Sequence, residues 1–130
     1  MRLSLKSNVQ LTNLQPEMII AVLVFMGLVQ DITNVLTITS ANDSTHKQRS
    51  DNKPGSLHYS GYALDFRTKD MFNTLSDSQR MYELSMLRSQ LTASLPGFDV
   101  VLDSVNLENE HMHIEWDPKW TIPASQTLKT

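Results

Sequence analysis

The stretch SLHYSGYALDF, Ser56 to Phe66, decides the predicted fold, because a polar loop ends in it and a strand begins. His58 and Asp65 lie seven positions apart within it. An odd separation places two residues on opposite faces of one regular strand, but a turn at Gly61 can fold His58 back toward Asp65. The stretch therefore predicts either a surface loop that enters a strand or one half of a metal site.

The other half of such a site would lie in EHMHIEW, Glu110 to Trp116, which contains two of the four histidines. Side chains at i and i+2 of a strand point to the same face. We therefore expect His111 and His113 to share a face, with Glu115 beside them if the strand is regular. Glu110 lies three positions before His113, at the turn that leads into the strand.

The rest of the chain predicts further helices and strands around these two stretches. Helices are expected over Gln15–Gln30 and Asp77–Ser94, and strands over Asn34–Ser40, Tyr62–Thr68, Phe98–Asp103 and His111–Trp116. Residues 1–14 alternate weakly and predict an extended arm, and Ala41–Ser56 is a long polar loop. The last two strands are joined by a short loop and should pair antiparallel. The sequence thus predicts an α+β domain with a small, mainly antiparallel sheet and helices packed on it.

The two predicted helices have different patterns. The first contains MIIAVLVFMGLV, Met18–Val29, which is apolar nearly all round and predicts burial on several sides. Asn13 is its candidate cap, and Pro16 suits a first turn. The second begins with a capping box formed by Ser76 and Gln79. Its apolar residues near helical spacing are Met81, Leu84, Leu87, Leu91 and Leu95.

Composition limits the class of protein. The chain has 130 residues, a net charge of −3, a pI near 5.7 and no cysteine. This length predicts one domain, residues 1–130, and the acidic balance argues against nucleic-acid binding. The absence of cysteine excludes disulfides and thiolate zinc ligands. The apolar run Met18–Val29 is shorter than the roughly 20 residues that span a membrane, and no export signal is visible.

Histidine and carboxylate side chains in these motifs are suited to zinc chemistry. A catalytic zinc ion takes three protein ligands and keeps one position for water, and a separate carboxylate takes the proton of that water. His58, Asp65 and His113 can supply the ligands, and Glu110 can supply the base. Each motif alone is a weak signal, since two histidines on one strand face are also compatible with a core or an interface.

Taken together, the two motifs resemble a known family. SLHYSGYALDF resembles the Ser-x-His-x-x-Gly-x-Ala-x-Asp signature of the zinc D-alanyl-D-alanine carboxypeptidases, and EHMHIEW resembles their Glu-x-x-His and His-x-His signature. That group includes phage L-alanyl-D-glutamate endopeptidases and shares its fold with lysostaphin-type peptidases and the hedgehog signalling domain. The resemblance covers most of the chain, and the predicted elements follow the family's order.

The resemblance implies a role for each matching residue. His58, Asp65 and His113 would bind one Zn²⁺ ion, Glu110 would be the general base, and His111 would stabilise the developing oxyanion. Ser56 matches a serine that contacts substrate near the metal. Many members carry an arginine after the first strand that anchors substrate, but this chain has SAND, Ser40 to Asp43. The candidates to replace that arginine are His46, Lys47, Arg49 and Arg67.

One alternative register stays open in the second motif. Glu108 and His111 also form a Glu-x-x-His pair, which would make His111 the ligand and Glu108 the base. The family pattern favours the second histidine of His-x-His, and hence His113.

The function implied by the resemblance is hydrolysis of a peptide bond in peptidoglycan stem peptides. The expected enzyme is a zinc carboxypeptidase or endopeptidase, monomeric, without nucleic-acid partners or stable membrane association. Without a visible export signal it would reside in the cytoplasm of the producing cell. It would act on the wall after release, as a phage endolysin does, or on imported wall peptides. The alternative is a non-catalytic zinc-containing binding module, or a phage structural or assembly module, of the same fold.

Overall fold

The structure, a computed structural model, describes residues 1–41 and 62–116. Within these residues the elements are β1 (Arg2–Leu5), α1 (Pro16–Val29), β2 (Val35–Ser40), β3 (Ala63–Arg67), α2 (Asp77–Ser94), β4 (Asp99–Asp103) and β5 (His111–Glu115). These strands form a sheet in the order β1-β2-β3-β5-β4, parallel between β1 and β2 and antiparallel at the other pairings. The predicted α+β class and mainly antiparallel sheet are confirmed, as is the pairing of the last two strands.

The predicted N-terminal arm is a sheet strand over part of its length. Arg2 is in register with Val35, and Leu5 with Ile38, so β1 extends the sheet beyond β2. The alternation in residues 1–14 predicts an extended backbone, but the partner of that backbone lies more than 30 positions away. Its pairing is therefore set by the tertiary fold rather than by the local pattern.

Helix α1 begins without the predicted cap. Its N-cap residue is Gln15, which makes no side-chain cap hydrogen bond. Asn13, the predicted cap, has a φ of 66° and lies in the turn before the helix. Pro16 has no N–H to satisfy, and the Met18 N–H donates to the Gln15 carbonyl oxygen at 2.9 Å. A side-chain cap at Asn13 would therefore add little to the stability of the helix start.

Both helices cover the same face of the sheet, where the described apolar residues form a continuous core. Its members from the helices include Met18, Ala21, Phe25, Val29, Leu87 and Leu91, and those from the strands include Leu36, Ile38, Leu64, Phe66, Val100, Met112 and Ile114. The rings of Phe25 and Phe66 lie 4.7 Å apart between centroids, which fixes α1 against β3. Because strand side chains alternate, the intervening residues of β3 and β5 lie on the opposite face.

The burial of the helices differs from the prediction in two places. Helix α1 buries one broad face rather than several sides, because Ile19, Ile20 and Leu23 are at least half exposed, on the side turned away from the sheet. In α2, Met81 is 47% exposed and Arg80 is buried in its place. Arg80 lies four positions before Leu84, on the same stripe as the buried leucines. The other four predicted apolar positions of this helix are buried.

The end of α2 follows from Pro96 and Gly97, as the sequence predicts. Gly97 has a φ of +88°, which L-residues rarely adopt and glycine adopts without steric cost. The chain then turns directly into β4. Neither helix of the described residues is long and apolar enough to cross a membrane.

The capping box predicted at the start of α2 is present and gives a stability prediction. Ser76 Oγ accepts from the Gln79 N–H at 3.3 Å, and Gln79 Oε1 accepts from the Ser76 N–H at 3.4 Å.

We expect Ser76→Ala to lower the free energy of unfolding by about 1 kcal/mol, measured by urea denaturation. Ser89→Ala is the matched control, because Ser89 lies exposed within the same helix and bonds only the Ser85 carbonyl. It should change stability by less than about 0.5 kcal/mol. Equal losses in the two variants would contradict a specific capping role.

Candidate functional site

Strand β5 separates core residues from candidate site residues by simple alternation. Met112 and Ile114 are fully buried in the core. His111, His113 and Glu115 are half-buried and lie on the opposite face. The predicted regular strand, with all three polar side chains on one face, is therefore present.

Strand β3 brings Asp65 directly opposite His113. The register pairs Asp65 with His113 and Arg67 with His111, so Asp65 lies on the same face as the two histidines. On its other side the pairing with β2 shifts register between Ile38 and Ser40, next to Asp65. Irregular pairings of this kind re-aim side chains. Asp65 of the first motif and His113 of the second thus meet in the middle of the described sheet.

The imidazole of His113 lies between two carboxylates. Its Nδ1 is 2.7 Å from Asp65 Oδ1, and its Nε2 is 2.7 Å from Glu115 Oε1. The three side chains are 17–21% exposed. Carboxylates only accept hydrogen bonds when ionised, so the doubly protonated ring satisfies both of them at once.

These contacts shift the protonation of His113. Burial alone would lower its pKa, but the hydrogen bonds to Asp65 and then to Glu115, with the charges of both carboxylates, outweigh burial and raise the pKa to about 9. The ring is therefore cationic near neutral pH when no metal is bound. A metal ion can replace the Nδ1 proton, because imidazole binds metals in its neutral form.

His111 is oriented by the backbone. Its Nδ1 lies 2.7 Å from the Asn109 carbonyl oxygen, which can only accept, so Nδ1 carries the proton. The Nε2 atom lies 3.9 Å from Asp65 Oδ1 and 3.7 Å from Asp103 Oδ2, beyond hydrogen-bond distance. In the neutral ring Nε2 therefore carries the lone pair, and it lies between the carboxylates of Asp65 and Asp103.

Arg67, a predicted substrate contact, lies at the end of this face. It is the register partner of His111, and its Nε donates to Asp70 Oδ2 at 3.0 Å. Its side chain is 44% exposed, so it remains accessible to a ligand despite this ion pair.

Glu110, the predicted base, lies in a different environment. Its carboxylate is fully buried and is 2.8 Å from both terminal nitrogens of Arg80. The Asn106 N–H donates to Oε1 at 2.8 Å, and the Thr68 hydroxyl donates to Oε2 at 2.7 Å. Burial alone would raise its pKa, but these hydrogen bonds, that from Arg80 above all, hold the pKa below its usual value. Its role as base stays a prediction, and the contacts give it a structural role that competes with that prediction.

Glu108, the base of the alternative register, is exposed. Its Oε2 is 2.8 Å from Lys69 Nζ, and this pairing lowers its pKa. Its side chain is 96% exposed, and its role as base in the alternative register stays a prediction.

Five candidate site residues lie outside the described residues, namely His46, Lys47, Arg49, Ser56 and His58. Within residues 1–41 and 62–116 no group of three or more His, Cys, Asp or Glu side chains is arranged to hold a metal ion. Around His113 the two carboxylates face opposite nitrogens of one ring. Asp65 and His113 are two of the three predicted ligands, and they do lie side by side.

The sequence-based reasoning missed Arg80, Thr68 and Asn106 as partners of Glu110. One signal was present, since Arg80 occupies a position of the apolar stripe of α2, four residues before Leu84. A cation at a core position requires a buried anion. Nothing in the spacing identified Glu110 as that anion.

Comparison with known proteins gives no relative to set beside this geometry. No protein-family model, no curated protein and no solved structure matches the chain.

The protonation of His113 predicts how the stability of the metal-free protein depends on pH. Because the folded-state pKa is raised from 6.5 to about 9, the stabilisation is fully present below about pH 6.5 and is lost as the pH rises through 9. The expected loss is on the order of 3 kcal/mol at about 1.4 kcal/mol per pKa unit. Urea denaturation with chelator present, from pH 6 to 9.5, measures it. The His113→Asn variant should lack this slope, and the same slope in both proteins would contradict the assignment.

Proposed function

We propose that the chain is a zinc-dependent peptidase that hydrolyses a peptide bond in the stem peptides of bacterial peptidoglycan. The observation that carries the proposal is the 2.7 Å contact between Asp65 and His113, two predicted ligands separated by 48 positions. The resemblance of the two motifs to zinc D-alanyl-D-alanine carboxypeptidases and L-alanyl-D-glutamate endopeptidases supplies the reaction and the substrate class. The finer fold assignment, hedgehog/D-Ala-D-Ala-peptidase-like, rests on that resemblance as well.

The described side chains fit a zinc ion by their donor chemistry. Asp65 and His113 offer oxygen and nitrogen ligands of the kind zinc prefers, and His58 is the third ligand that the sequence predicts. When bound there, zinc would polarise the scissile carbonyl and lower the pKa of a bound water to about 7. With zinc bound, Glu115 would accept the Nε2 proton of His113, and the Nδ1 lone pair would be left for the metal. A carboxylate behind a ligating histidine commonly fixes its tautomer in this way.

Hydrolysis also needs a proton acceptor on this face of the sheet. Glu110 is the acceptor that the sequence predicts, but four hydrogen bonds occupy its carboxylate. His111 Nε2 carries a lone pair on the site face and is the alternative acceptor. Once protonated, the same nitrogen would donate to the oxyanion of the tetrahedral intermediate, which is the role the resemblance implies for His111.

Substrate binding in this proposal falls to residues around that face. Arg67, exposed at the end of β3 next to His111, is suited to a substrate carboxylate. His46 and Ser56 are further candidates from the sequence. The proposed substrate lies in the cell wall, so the protein would act after release from the producing cell, as phage endolysins do, or on imported wall peptides.

A second candidate function is favoured by the environment of Glu110. If that carboxylate is structural and His111 does not transfer protons, the domain would bind zinc and a partner without hydrolysis, as a binding or phage structural module. The two candidates share the metal site and differ in the proton acceptor.

Digestion of purified peptidoglycan by the zinc-loaded protein tests the peptidase proposal. We expect soluble products that disappear when a chelator is added, identified by mass spectrometry. Their masses distinguish release of terminal D-alanine from a cut between L-alanine and D-glutamate. His113→Ala is the matched inactive control. If the protein is confirmed to bind zinc but releases no products, the result contradicts the peptidase proposal, and the binding module remains as the alternative.

Metal content tests the ligand assignment independently of activity. We expect His113→Ala to lose tight zinc binding, and Glu115→Gln to weaken it by about 10- to 100-fold, because the tautomer of His113 is no longer fixed. His111→Gln should retain zinc. Titration against a chromophoric chelator measures all three. Retained zinc in His113→Ala together with lost zinc in His111→Gln would move the ligand to His111.

A further inference from the structure

The buried pair of Arg80 and Glu110 is fully hydrogen-bonded. The guanidinium has five N–H donors, and the structure gives five acceptors for them. They are both Glu110 oxygens, the Asn106 side-chain oxygen and the carbonyl oxygens of Thr68 and Met71, at 2.6–3.2 Å. Glu110 receives two further bonds, from the Thr68 hydroxyl and the Asn106 N–H. Neither charge is left unpaired, although both side chains are at least 92% buried.

These bonds join three parts of the chain that hold the candidate site. Thr68 and Met71 directly follow β3, Asn106 and Glu110 lie in the turn before β5, and Arg80 is in α2. We call Arg80, Glu110, Thr68 and Asn106 the clamp. Its members come from three separate segments, so the clamp forms only when those segments are correctly docked.

The clamp continues the register of the two site strands. The last ladder pair at this end of β3 and β5 is Arg67 with His111, so the next pair in the same register is Thr68 with Glu110. The 2.7 Å bond between their side chains closes the end of the ladder. Asp65 lies three residues before Thr68, and His113 three residues after Glu110. A one-residue slip of either strand would break the clamp and move Asp65 away from His113.

The turn that carries Glu110 is built to present it to Arg80. Ser104 and Asn106 both have positive φ values, 57° and 63°. Two successive turns follow, with the Leu107 N–H bonded to the Ser104 carbonyl and the Glu110 N–H to the Leu107 carbonyl. Asn106 also bonds the Asp77 carbonyl at the start of α2. Two of these three bonds, those of Glu110 and Asn106, involve clamp residues.

We infer that Arg80 and Glu110 are positioning residues, which lock the register of β3 and β5 and so set Asp65 beside His113, and that Glu110 is not the proton acceptor. The register part of this inference stands on the described contacts alone. The part that concerns zinc and proton transfer rests on the proposed function.

A double-mutant cycle with Arg80→Met, Glu110→Leu and the double variant tests the inference. Each single variant leaves one buried charge unpaired, so its unfolding equilibrium constant should rise by roughly 10²- to 10³-fold, about 3 to 4 kcal/mol. The double variant removes both charges and should return to within about tenfold of the wild type. Urea denaturation with chelator present measures these constants without any metal.

Two further readouts separate positioning from general stability. In solutions where each variant is fully folded, cross-strand NOEs between Asp65 and His113 should be lost or weakened in the single variants and kept in the double variant. Zinc affinity should fall at least about tenfold in the single variants and recover in the double variant. Because the double variant has no carboxylate at position 110, recovery there cannot come from Glu110 as a base or as a ligand.

The matched control is the surface pair of Lys69 and Glu108, which joins the segment after β3 to the turn before β5 at 2.8 Å. The cycle of Lys69→Met and Glu108→Leu should show a coupling below about fivefold, with unchanged NOEs and zinc affinity. Coupling as large as that in the clamp would mean that any ion pair between these segments has the same effect, and would overturn the inference.

The outcomes separate the clamp from the peptidase. If Glu110→Leu keeps stability, NOEs and zinc affinity but loses peptidoglycan hydrolysis, and the double variant does the same, Glu110 is the proton acceptor and the inference is wrong. If the conservative Glu110→Gln variant behaves as the wild type in stability and NOEs, the charge pair does not set the register. If the wild type binds no zinc, the proposed function fails, and the stability and NOE measurements still decide the clamp.

Discussion

The register between β3 and β5 is the constraint on which the rest of the described structure depends. Met112 and Ile114 face the core, so the residues between them must face away, and a slip by one residue would exchange the two sets. Exposing a core side chain of this size costs about 1.5–3 kcal/mol, and the slip would also bury the His113 imidazolium. The hydrophobic effect thus fixes which face is polar. It does not by itself fix the partner of His113, because a slip by two residues would restore the same faces.

The clamp supplies what alternation cannot, since its geometry distinguishes one register from all others. A buried ion pair is weak evidence for net stability, because the desolvation of both charges offsets most of their attraction. What the pair of Arg80 and Glu110 provides is a large energy difference between the correct arrangement and any other, in which a charge would be buried without its partners. The full set of hydrogen bonds is what makes this arrangement tolerable in the core. The pair therefore contributes more to the specificity of docking than to the free energy of folding.

Features set by interactions between neighbouring residues were predictable from the sequence, whereas contacts between distant segments were not. The alternation in HMHIE and the capping box at Ser76 are local patterns, so the faces of β5 and the start of α2 were predictable. The meeting of Asp65 with His113 was predictable only through the resemblance of the two motifs. The partner of Glu110 was not, because it lies 30 positions away in a helix whose pattern favoured Met81 as the buried residue. Pairing between β1 and β2 was missed for the same reason, since local spacing carries no information about which distant segment docks.

The resemblance implies both metal ligands and a general base, and the fold places these two kinds of residue in different environments. A metal ligand needs a donor atom on the site face, and Asp65 and His113 meet that requirement. A general base needs a free lone pair and a pKa near the working pH, whereas Glu110 is buried against a guanidinium that lowers its pKa. Protonating it would leave the Arg80 cation without its counter-charge, so each catalytic cycle would have to break the contact that holds the ligands in register. A carboxylate cannot serve both purposes without cost. The arrangement favours a site in which His111 transfers the proton or no proton is transferred at all, and that choice is the difference between a peptidase and a binding module.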